Sequence, residues 1–144
     1  MAQLTDRLGG SMQDELLRLT GSAGNPFEEV SGTGDGGGGY KHFGSGDRIV
    51  SFHQLASSVP SGSPSVVTTI VAASDNSGTG AVTIGTFAAL TADQVDDLGT
   101  VSAPPRVAVH IPAGKPWLKA LNTFSGSGSI VMAVLPDPMD ASAP

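Results

Sequence analysis

Two hydrophobic periods divide this chain. Leu4, Leu8, Met12, Leu16 and Leu19 recur at spacings of four, four, four and three, the repeat of a single helix face. From Arg48 onward, apolar and polar residues instead alternate on short segments bounded by Gly, Pro, Ser or Asn. That second period belongs to strands. It predicts them at Arg48–Gln54, Ser65–Ala73, Ala81–Phe87, Arg106–Ile111, Trp117–Phe124 and Ser129–Leu135. Six or seven short strands at this spacing imply an all-β domain, a sandwich or a barrel, and an antiparallel β-sandwich is the expectation. Its inward positions are expected to include Val107, Val109, Ile111, Leu118, Ile130, Met132 and Val134. Thr91 to Leu98 reads as a single helical turn capped by Thr91, and Pro104-Pro105 ends it.

The N-terminal stripe predicts a short amphipathic helix, with capping residues at Thr5 or Ser11 and acidic Asp14 and Glu15 near its start. Gly9-Gly10 breaks the pattern and Gly21 ends it. Half of the chain's 20 glycines then fall between Gly21 and Gly46. Such a tract carries a large ordering entropy and builds no core, so it reads as a tether. The expected organisation is an arm at 1–24, a Gly-rich linker at 25–47, the β-sandwich at 48–135 and an extended tail at 136–144. The helix either folds onto its own β body or docks on a neighbouring subunit, since the tract allows the reach, with a disordered segment as the third reading. The expected contact residues are Leu4, Leu8, Met12, Leu16 and Leu19 on the stripe, Phe27, Tyr40 and Phe43 in apolar islands of the tract, and Trp117.

Charge sharpens the picture. Only 14% of residues are charged, and from Ile49 to Ala92 the single Asp, Glu, Lys or Arg is Asp75. Soluble monomers ordinarily use charge to guard sheet edges, so a surface partly covered by other chains is expected. The net charge of −6, with seven scattered basic residues, argues against a nucleic-acid partner. No apolar run approaches the roughly 18 residues of a membrane span, and the first residues lack the basic region and apolar run of a secretory signal, so none is expected. With zero cysteines there is no disulfide, thiolate site or cysteine nucleophile.

No constellation specifies a reaction, and neither enzyme activity nor a cofactor is expected. His42, His53 and His110 lack the short spacing of a zinc site. Serine is abundant, but no GxSxG singles out a nucleophile. Asp93, Asp96 and Asp97 cluster, and Asp75-Asn76 offers oxygens, yet the pattern of a calcium loop is missing. They read as helix-end charge and a solvated turn. Gly36 to Gly39 has no following GK[ST], so it is not a phosphate loop. A lone Trp117 suits a core or interface anchor, with stacking on a sugar as the functional alternative.

The C-terminal half, Val107-Ala108-Val109-His110-Ile111-Pro112-Ala113-Gly114, Trp117 to Thr123 and Ser129 to Leu135, resembles the small β-sandwich or jelly-roll decoration proteins of tailed bacteriophage heads. The likeness lies in the Ile-Pro-Ala-Gly turn before a strand whose Asn122-Thr123 leads into a Gly/Ser hairpin. It implies a jelly-roll cement protein on the capsid exterior, made in the host cytoplasm, whose partners are the major capsid protein and neighbouring copies of itself. A carbohydrate- or receptor-binding module of a virion appendage is the alternative, and a small jelly-roll enzyme the third.

Overall fold

The computed structural model describes residues 19–20, 27–32, 39–44, 48–56, 59–95, 101 and 105–136. Among them are nine strands: β1 (Glu28–Val30), β2 (Lys41–His42), β3 (Arg48–Ala56), β4 (Pro64–Ala73), β5 (Val82–Thr86), β6 (Leu90–Thr91), β7 (Arg106–Ile111), β8 (Trp117–Gly126) and β9 (Ile130–Pro136). The only helical element described is a 3-10 turn at Ala92–Gln94, capped by Thr91. There the Gln94 side chain accepts a hydrogen bond from the Thr91 N–H at 2.9 Å. All six expected strands are present with small shifts at their ends.

The strands form two antiparallel sheets, β1-β9-β3-β7 and β2-β8-β4-β5, with β6 adding to β4. Alternation along each strand places one face of each sheet in a shared core. Val50, Phe52 and Gln54 of β3, Val66, Thr68 and Ile70 of β4, Leu118, Ala120 and Asn122 of β8, and Ile130, Met132 and Val134 of β9 are all buried. Val109 and Ile111 of β7 are buried too, and Val107 packs against them, as the alternation predicts. His110 faces outward. The two sheets meet closely where β5 passes β7: a Cβ on Gly85 would lie 2.6 Å from a Val109 methyl, so the absent side chain sets their approach.

One feature of the core is polar. Gln54 Nε2 donates to Thr68 Oγ1 at 2.9 Å, and Thr68 Oγ1 donates to Asn122 Oδ1 at 2.6 Å. Thr68 and Asn122 are register partners in one sheet, whereas Gln54 belongs to the other. The three side chains therefore tie the layers together. The tie is only half satisfied, because Gln54 Oε1 and Asn122 Nδ2 are buried with no hydrogen-bond partner among the described residues.

The expected boundaries need correction at the N-terminal side. Residues 25–47 are not merely a linker, because Glu28–Val30 pairs with β9 and Lys41–His42 pairs with β8. Both strands are too short to show a period, and their partners supply the order. Phe43 is no exposed contact residue: it is 2% exposed, and its ring meets Phe52 edge-on at 5.5 Å between centroids. Leu19 likewise lies in the chain's own core at 0% exposure. Its N–H donates to Val134 O at 3.1 Å, while the Thr20 hydroxyl accepts from Val134 N–H at 2.9 Å. Leu19 and Thr20 thus satisfy β9 just beyond its pairing with β1, and the stripe's last residue docks in cis. Leu4, Leu8, Met12 and Leu16, the expected N-terminal helix and the tail after Pro136 lie outside the described residues. Pro136 itself closes β9, opposite Phe52.

Candidate functional site

The side chains with the most binding potential gather where β2 joins β8. His42 and Trp117 are register partners, and their rings meet edge to face with centroids 4.9 Å apart. The Gly44 N–H donates to His42 Nδ1 at 3.1 Å, which leaves Nε2 as the imidazole's other polar atom. Trp117 is paired on its other side with Ala73, and Lys119, two residues on, with Val71. Strand alternation therefore places Trp117 and Lys119 on one outward face. Lys119 Nζ lies 5.7 Å from the centre of the Tyr40 ring, a cation–π placement.

Two turns frame this group. In the β4–β5 turn, Asp75 Oδ1 accepts from the Ser77 and Thr79 N–H groups at 2.9 and 3.1 Å. Hydrogen bonds from the Thr79 hydroxyl first, then from its N–H and those of Ser77 and Gly78, hold the Asp75 pKa below the ordinary carboxylate value. Gly78 runs beside the Tyr40 hydroxyl, where an added Cβ would come within 2.9 Å. The β7–β8 turn, Pro112 to Pro116, sends Lys115 Nζ to Gly80 O at 2.5 Å. Its Pro116 carbonyl accepts from Phe43 N–H at 2.8 Å. Lys115 and Lys119 thus lie near the chain's only Tyr and only Trp, whereas Lys41 pairs with the buried Leu118 and is on the other face of the sheet.

Of the expected contact residues, the structure brings Tyr40 and Trp117 together, half-buried, at this end. Phe27 is half-buried immediately before β1, and Leu19 and Phe43 are interior. The three imidazoles do not form a group: His42 is on β2, while His53 and His110 are on β3 and β7 of the other sheet. Among the described residues, no three His, Cys, Asp or Glu are placed to hold a metal ion. No described helix is long and apolar enough to cross a membrane. Sequence spacing held part of this signal, since Tyr40 and His42 are two apart on one segment and Trp117 and Lys119 two apart on the other, but only pairing brings the two segments together.

No family model, curated protein or solved structure matches this chain.

Proposed function

We propose that this chain is a structural protein of a virion, a jelly-roll decoration protein that sits on the outer capsid and reinforces the shell. The order β1-β9-β3-β7 over β2-β8-β4-β5 carries the reading. Apart from β6, it is the strand order of an eight-stranded double Greek key, the jelly-roll architecture common to capsid and lectin domains. A fold alone does not assign a function. The surface adds support. The exposed large apolar side chains among the described residues are Ile49, Val59 and Val82, with Ile49 67% exposed, and all lie in the stretch whose one charged residue is Asp75. Ile49 belongs to one sheet and Val82 to the other, and apolar groups so little guarded by charge suit surfaces that other subunits cover. The partners on this reading are the major capsid protein and adjacent copies of the chain, with the N-terminal arm adding a second point of attachment.

Co-sedimentation with purified shells of the encoding virus tests this. The full chain should pellet at a fixed ratio to the capsid subunit, and the Ile49→Lys, Val59→Lys, Val82→Lys triple variant should stay in the supernatant with an unchanged melting temperature. A full chain that never pellets with shells sinks the proposal.

A further inference from the structure

From the β5 edge we infer a contact between copies of this chain: β5 of one molecule pairs antiparallel with β5 of a second, joining two sheets into one about a two-fold axis. The inference deepens the shell reading and rests on it for the adjacent copies that it joins. Among the described residues the two sheets end in four strands, β1 and β7 in one, β2 and β5 in the other. A free strand edge is a template for pairing, and charged side chains are a common guard against it. β1 carries Glu28 and Glu29, β2 carries Lys41 and β7 carries Arg106. β5, Val-Thr-Ile-Gly-Thr, carries no charge and no proline, and its Val82, Thr83 and Thr86 are exposed.

The backbone is turned for such a contact. Phe87 N–H donates to Thr68 O at 2.8 Å, so the alternation of an antiparallel ladder directs the Thr86 N–H and C=O away from β4. Val82, Thr83, Ile84 and Thr86 are β-branched, the side chains that best suit a paired strand. Charge selects a second copy as the occupant. Two chains of net charge −6 repel, and they meet with the least repulsion through the stretch from Ile49 to Ala92, whose one charged residue is Asp75. A strand pairing antiparallel with its own copy is also self-complementary, as a two-fold interface requires. The register shift opposite Ile70 and Val71 interrupts β5, and so short an edge buries less than the roughly 1,200 Å² at which stable interfaces begin. The pair is therefore weak in solution and gains on a shell, where copies are held side by side.

Sedimentation velocity of the full chain, from the micromolar to the millimolar range, tests the contact without shells. The sedimentation coefficient should climb towards the dimer value, and the Thr86 amide, followed by NMR, should exchange more slowly at the high end. Co-sedimentation with shells needs no contact between copies and can persist when this proposal fails, so the two readings are judged separately. Thr83→Lys combined with Thr86→Lys puts the usual guard on the edge, and should leave a monomer at every concentration with the parent's melting temperature. Both lysines bring the net charge nearer zero, so general repulsion falls and does not account for the dissociation. A chain that stays monomeric throughout the range overturns the proposal. So does a dimer that survives the lysine pair, or one that forms with the Thr86 amide unprotected.

Discussion

Thr68 shows how one hydroxyl holds two sheets in register. It receives Gln54 and donates to Asn122, so replacing it with valine keeps the shape but takes the hydroxyl from Asn122 Oδ1 and leaves Gln54 Nε2 only the Met132 sulfur. A buried polar group left without a partner costs about 1–3 kcal/mol, more than the gain from an extra methyl. Thr68→Val should therefore lower the melting temperature by several degrees. A melting temperature equal to or above that of the parent would show that the tie contributes nothing. Ile130→Ala tests the ordinary core beside it, with an expected loss of about 2–5 kcal/mol by denaturant titration. On the surface, Asp75 has its pKa depressed in the folded chain, so its contribution is present above the unfolded carboxylate value and disappears as pH falls through the lowered one. Carboxyl-carbon NMR should find Asp75 titrating closer to the ordinary range in Thr79→Val, which removes the largest cause. An unmoved titration would assign the depression elsewhere. The inward face of β9 was legible from alternation alone, and so was Gln54, which shares the phase of Val50 and Phe52. Its partners were not legible, because Thr68 and Asn122 become neighbours only when β4 pairs with β8.

At the scale of elements, the connection from β8 to β9 crosses the segment leading into β4. Ser61 and Ser129 exchange backbone hydrogen bonds, each at 3.1 Å, and Ser127 N–H donates to Ser63 O at 3.3 Å. So close a crossing needs Gly128, whose φ is +77° and whose missing Cβ would collide with the Ser61 carbonyl. Gly114 offers a control: φ is +84° there, but an added Cβ meets nothing within 4 Å. The left-handed backbone alone costs a non-glycine residue about 1–2 kcal/mol. Gly114→Ala should lose about that much, and Gly128→Ala clearly more, as measured by urea unfolding. Equal losses would mean that the crossing yields without strain. The Gly/Ser run announced the β8–β9 turn, and the period of two announced the six longer strands. β1 and β2 stayed hidden for a physical reason: two or three residues in a glycine-rich setting show no alternation, and only pairing with β9 and β8 makes them strands.

At the scale of the whole molecule, the question is where the domain ends and the arm begins. The Gly-rich tract suggested a boundary after it, but Leu19 and Thr20 precede that tract and lie within the fold. Leu19 is buried among core residues, and together the two residues satisfy both backbone groups of Val134. Leu19 and Thr20 therefore belong to the folded domain. A chain lacking residues 1–20 loses a buried leucine, a loss on the order of 2–5 kcal/mol, and leaves Val134 N–H and C=O at a bare edge of β9. A chain lacking residues 1–18 keeps all of this, while removing Leu4, Leu8, Met12 and Leu16. The shorter truncation should melt with the full chain and the longer one well below it. If the arm serves attachment, the shorter truncation should also bind shells more weakly at undiminished stability, because one of two linked contacts is gone. Should that truncation melt as low as the longer one, residues 1–18 belong to the folded domain, and attachment falls to the β faces alone.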